Sequence, residues 1–221
     1  MRQAVSRPRK PGLRLKKSQL HEVIELSGFG PDVTLIDPAF IHPTALLYGK
    51  IVVEKDASIW PNTVIRAENH DVVIGEGTNI QDFVMIHVGG QTGTNIGKYC
   101  SITHHCTIHG ATIGDNCLIG INATIMDGAV VGDNCIVAGG SFLKEGTVIP
   151  DNSIVMGMPG KVMKERNNYV ANKTNAILYI HNAHGFANGR HRTWDDPEIL
   201  KLINAQRAEI AAEFAALEAA Q

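Results

Sequence analysis

The stretch "CSITHHCTIHGATIG", residues 100–114, places three histidines and two cysteines within ten positions. Imidazole nitrogens and thiolates are the usual ligands of zinc, so metal binding is the chemistry these residues could perform. The cysteines do not have the spacing for it. Cys100, Cys106, Cys117 and Cys135 are separated by 6, 11 and 18 positions, and none forms a CxxC pair. Which histidines can meet depends on the elements that carry them.

Those elements repeat. Ile113, Ile119, Ile125, Val131, Val137, Leu143, Ile149 and Val155 recur at an unbroken spacing of six, which is neither the 2 of a strand nor the 3.6 of a helix. Upstream run Ile41, Leu47, Val53, Ile59, Ile65; Ile74, Ile80, Ile86; and Ile96, Ile102, Ile108, with departures only at 65–74, 86–96 and 108–113. A unit of one short strand and one turn winds into a three-sided prism, three units to a coil, with each aliphatic on the axis. The position two before each aliphatic also faces inward and is usually small, as at Ala45, Ala57, Thr63, Ala123 and Ser141. All four cysteines occupy it and read as reduced core thiols.

Coil counting turns the histidines into geometry. Arg66, His87 and His109 each follow an aliphatic on one corner, in successive coils. Coils pack about 4.7–4.9 Å apart, so His87 and His109 can aim neighbouring imidazoles at one ion. Asp82 and His104 form a second column, one face around, which points away from the first pair within one chain. A threefold homotrimer that sets the His87/His109 corner of one chain against the His104 corner of the next completes a three-histidine site at each of three interfaces. The same docking brings Arg66 to Asp82 as an intersubunit ion pair. His105 has another direction and reads as a bystander.

The motifs "IRAE" (65–68), "NIQD" (79–82), "IHV" (86–88) and "HHCTIHG" (104–110) resemble the gamma-class carbonic anhydrases, over about residues 35–185. The resemblance implies a left-handed parallel β-helix of hexapeptide repeats, followed by C-terminal α-helices and assembled as a homotrimer. It implies His87, His104 and His109 as ligands of zinc, with iron or cobalt as alternatives, and reversible hydration of CO2 to bicarbonate. It also implies Gln81 and Glu68 beside the reacting centre, Tyr179 of "TNAILYIHN" (174–182) near it, and Asn79 as a supporting polar group. Two departures stand out. Asn69 replaces an acid found in well-characterised members, and the loop "VGGQTGTN" (88–95) has no acid to shuttle protons. His181 stands at or beside a position often occupied by Asn, and no role is assigned to His184.

Two other readings compete. A hexapeptide acyltransferase or CoA thioesterase needs one histidine base rather than a stacked pair and a third across an interface. A non-catalytic trimeric scaffold would keep the metal for stability alone.

The expected regions are a basic arm (1–30), a β-helix domain (31–160) and a helical segment (161–221). Within the last, 160–181 and 195–220 read as helices. The second opens at Asp195-Asp196-Pro197 and carries an apolar stripe of Ile199, Leu202, Ile203, Ile210, Phe214 and Leu217. The 221 residues are 44% hydrophobic and 19% charged, a globular composition with no apolar run long enough for a membrane span and no secretory core. A cytoplasmic location is expected. The formal charge of −2 becomes −9 once the seven basic residues of the first twenty are set aside, which argues against nucleic acid as a partner. Pro8, Pro11 and Gly12 interrupt any amphipathic targeting helix, so the arm reads as a basic tail.

Overall fold

The computed structural model describes residues 29–219, so all but the end of the basic arm lies outside the described residues. The hexad ruler is realised as a left-handed parallel β-helix of about seven coils. On the first face Ile65, Ile86, Ile108, Ile125 and Leu143 lie in register on successive strands. The second face stacks Val53, Ile74, Ile96, Ile113, Val131 and Ile149. The third stacks Ile41, Ile59, Ile80, Ile102, Ile119, Val137 and Val155. Nearly all of these side chains are fully buried, and with the small inward residues and the four cysteines they form one continuous core. The cysteines are free thiols.

The corners require left-handed backbone. Between the third and first faces the turn falls on Asn62, Phe83, His105, Asn122 and Gly140, all at positive φ. Asn and Gly suit that conformation, whereas Phe and His are strained in it. Phe83 and His105 offset the strain by stacking their rings, with centroids 5.0 Å apart. His105 is therefore a turn residue.

All three departures from the six-residue spacing fall at one corner, between the first and second faces. From 65 to 74 the strand Val64–Ile74 runs through the corner without a break. It passes so close to the strand Leu46–Val53 that a Cβ on Gly49 would lie 2.0 Å from the Ala67 carbonyl oxygen. From 86 to 96 the extra residues form the loop after His87, and from 108 to 113 one residue is lost in a tight turn at Gly110, φ +57°.

The solenoid ends differently from the sequence expectation. Residues 160–165, expected to begin a helix, form the strand Gly160–Glu165, paired antiparallel with Ser153–Gly157. The last coil would otherwise leave that edge of the third face unpaired. Helix α1 (Tyr169–Ala187) follows and lies along the third face, where Asn172 donates to the carbonyls of Asn116 and Cys135 and Asn175 donates to Ser101. Helix α2 (Pro197–Ala219) is capped as expected, with the Asp196 carboxylate accepting from the Glu198 N–H. Its stripe is narrower than expected: Ile203 and Ile210 are buried, but Leu202 and Leu217 are exposed. A cluster of Lys173, Tyr169 and Glu213 ties α1 to α2. No helix among the described residues is long and apolar enough to cross a membrane.

Candidate metal centre

The strands Met85–His87 and Thr107–His109 put His87 and His109 directly opposite one another, with Arg66 opposite His87 on the coil before. His87 Nδ1 and His109 Nε2 lie 2.9 Å apart and the ring centroids 4.9 Å. The other nitrogen of each ring meets a carboxylate: Glu68 Oε2 lies 2.9 Å from His87 Nε2, and Asp127 hydrogen-bonds His109 Nδ1. Glu68 is held in turn by the Arg66 guanidinium. The slight burial of Glu68 would raise its pKa, but its backbone hydrogen bond, His87 and Arg66 outweigh that and lower it.

A second group sits at the other edge of the same face. His104 Nδ1 lies 3.1 Å from Asp82 Oδ2, which commits one nitrogen and leaves Nε2 available. Beside this pair, on the covered third face, Gln81 and Asn79 are almost fully buried. Gln81 Nε2 donates to Asn79 Oδ1, and Asn79 Nδ2 donates to Ser101 Oγ, the same hydroxyl that Asn175 of α1 reaches. The amide of Gln81 is thus fixed through its nitrogen, leaving Oε1 for solvent or substrate. Tyr179 of α1 packs edge-on between Trp60 and Trp194. Burial, with a contribution from the negative charge of Asp82, pushes its pKa up to about 12, so its hydroxyl keeps its proton.

The expected site residues therefore divide into two half-sites on one chain. Arg66, Glu68, His87 and His109 are brought together at one edge; Asn79, Gln81, Asp82, His104 and Tyr179 gather at the other. Among the described residues, no group of three or more His, Cys, Asp or Glu side chains could hold an ion. The donors nevertheless fit one. Nitrogens bound at about 2.0–2.1 Å to a tetrahedral ion stand about 3.3 Å apart, close to the His87–His109 spacing.

The pattern "Bacterial transferase hexapeptide (six repeats)" matches residues 110–145. A protein of Methanocaldococcus jannaschii named "Probable carbonic anhydrase" is 46% identical over 138 residues, covering 62% of this chain and 87% of the relative. "Gamma carbonic anhydrase 3, mitochondrial" of Arabidopsis thaliana is 41% identical over 178 residues, covering 77% and 69%. The chain belongs to the gamma carbonic anhydrase family. Among solved structures, a hexapeptide transferase family protein from Anaplasma phagocytophilum is 33% identical with a TM-score of 0.66, covering 70% of this chain and 92% of that one. Gamma carbonic anhydrases and hexapeptide transferases thus share this solenoid, and the half-sites must distinguish them.

Sequence reasoning missed one residue beside the His87/His109 pair. Asp127 lies in the turn after the strand Thr124–Ile125, one coil beyond His109. The coil count that stacks His87 on His109 extends to Ile125 and Met126, and Asp127 is the next residue. That count places Asp127 next to the His87/His109 column but does not give the direction of its side chain. Of the other histidines, His181 hydrogen-bonds Gln206 of α2 and His184 approaches Asp56, so neither belongs to either half-site.

Proposed function

We propose that this protein is a metal-dependent carbonic anhydrase, hydrating CO2 reversibly to bicarbonate at sites completed between the chains of a homotrimer. The observation that carries the reading is the split of three histidines, two at one edge of a face and one at the other, each with one ring nitrogen against a carboxylate, while the remaining nitrogens of His87 and His109 face each other. A threefold arrangement joins the His87/His109 edge of one chain to the His104 edge of the next. It would also bring Arg66 within reach of Asp82, which in one chain pair with Glu68 and His104.

In this reading His87, His104 and His109 hold the ion, with zinc as the preferred metal and iron or cobalt as substitutes. When bound, the ion supplies Lewis acidity that lowers the pKa of its water towards about 7. Glu68 stands against His87 as a carboxylate kept ionised and is placed to accept a proton. Gln81, held rigidly through Asn79, offers Oε1 to orient the attacking water. Tyr179 closes the His104 side as a neutral hydroxyl, and the aromatic packing of Trp60 around it excludes solvent.

Metal analysis and stopped-flow CO2 hydration test the reading. One metal per chain, lost in His104→Ala, with hydration well above blank in the wild-type protein is expected. Metal-loaded protein without hydration above blank would reject the enzyme in favour of a scaffold. A metal-free protein that acetylates acceptors from acetyl-CoA would favour the transferase reading, which the similarity to the hexapeptide transferase family protein of Anaplasma phagocytophilum suggests.

A further inference from the structure

Asp127 belongs to none of the motifs that carry the family resemblance, yet its seat is built around it. Its Oδ1 contacts His109 Nδ1. A Cβ added to Gly110 would lie 2.6 Å from Asp127 Oδ1, and one added to Gly89 would lie 2.9 Å from it. Both added atoms would also stand 2.5 Å from Thr92 Oγ1. Two glycines from two coils thus open the space in which the carboxylate lies, and any larger residue would fill it. The frame is fixed by backbone hydrogen bonds, with the Gly89 N–H donating to the Thr92 carbonyl and the Gly128 N–H to the Gly110 carbonyl, each at 2.8 Å.

A neutral imidazole has one N–H and one lone pair, and only the lone pair can bind a metal. The acceptor on Nδ1 selects which nitrogen that is. With Asp127 accepting from Nδ1–H, the lone pair of His109 resides on Nε2, the atom that faces His87. The negative charge behind the ring also strengthens Nε2 as a donor.

We propose that Asp127 is a positioning residue of the metal centre, locking His109 in the Nδ1–H form so that Nε2 is the ligating nitrogen. The inference rests on the reading of His109 as a metal ligand. Without the carboxylate the proton is free to move to Nε2, where it blocks ligation and must be displaced by the incoming ion. Glu145, one coil further on, lines the same cleft with Asp127, Thr92 and Gln91 but has no hydrogen bond to either histidine. It supplies a control of equal charge.

Zinc affinity, measured by competition with a chromophoric chelator on the assembled protein, tests this alongside nitrogen-15 NMR of the imidazoles after metal removal. Asp127→Asn, nearly isosteric, and Asp127→Ala are expected to bind zinc about 10- to 100-fold more weakly. The His109 signals should move from the Nδ1–H towards the Nε2–H form, and Glu145→Gln should change neither readout. Should Asp127→Ala fail to fold, Asp127→Asn alone decides. Wild-type protein that binds no zinc would defeat the ligand reading itself. Wild-type binding matched to within about twofold by Asp127→Asn, with the His109 tautomer unchanged, would overturn the role of Asp127 while leaving that reading in place.

Discussion

Adjacent residues 104 and 105 have different fates because a β-helix corner turns the chain between them. His104 points its ring towards Asp82, while His105 takes the left-handed turn position, φ +60°. His105→Asn should therefore leave zinc binding unchanged and alter stability by no more than about 1 kcal/mol, as easier backbone geometry offsets the lost stack on Phe83. Calorimetry and metal analysis check both statements. Cys106 illustrates a buried group with a pH signature. Burial pushes its thiol from the ordinary 9 up to about 11. Between those values the unfolded chain has lost the proton and the folded chain keeps it, so stability falls as pH rises through that window, by up to about 2–3 kcal/mol. Denaturant titrations at pH 8 and 10.5 should show this loss in the wild type and a smaller one in Cys106→Ala.

Among the elements, the corner between the first and second faces does most to shape the centre. It departs from the six-residue rhythm in three consecutive coils, and His87 and His109 stand on it. Two glycines on that corner separate strain from crowding. Gly110 has positive φ, and an added Cβ would meet Thr92, Asp127 and the Gly89 nitrogen at 2.5–2.9 Å; Gly128 has positive φ, but its nearest such neighbours are at 3.9 Å or beyond. Gly128→Ala should cost only the backbone term, about 1–2 kcal/mol, with zinc affinity unchanged. Gly110→Ala should cost about 1–2 kcal/mol more and weaken zinc binding as well, because it displaces the carboxylate behind His109. Thermal denaturation and chelator competition separate the two variants.

At the scale of the whole molecule, the proposed trimer makes the assembly part of the chemistry, because each site would take one half from each of two chains. His87→Ala chains retain an intact His104 edge, and His104→Ala chains retain an intact His87/His109 edge. In a head-to-tail trimer containing both kinds, one interface of the three joins two intact edges. Random mixing makes about three quarters of trimers mixed, so co-assembled variants should recover about a quarter of wild-type hydration, although each alone has none. Activity that stays at blank after co-assembly, with mixed trimers verified by mass, would contradict shared sites.

The sequence alone determined the prism and its register, because six-residue units, three to a coil, bury Ile65, Ile86 and Ile108 above one another with a smaller inward residue two places before each. That register also paired His87 with His109 and separated His104 from them, since a fixed period converts position in the chain into position on a face. The tertiary structure decided what the period does not encode. It ended the solenoid with an antiparallel strand at 160–165, where the ruler stops and an open sheet edge has to be covered. It laid α1 over Gln81 and Asn79, where Asn175 from a distant segment reaches the Ser101 hydroxyl that also accepts from Asn79. It also brought Asp127 against His109: a turn residue points where its backbone twist sends it, and spacing alone does not give that direction.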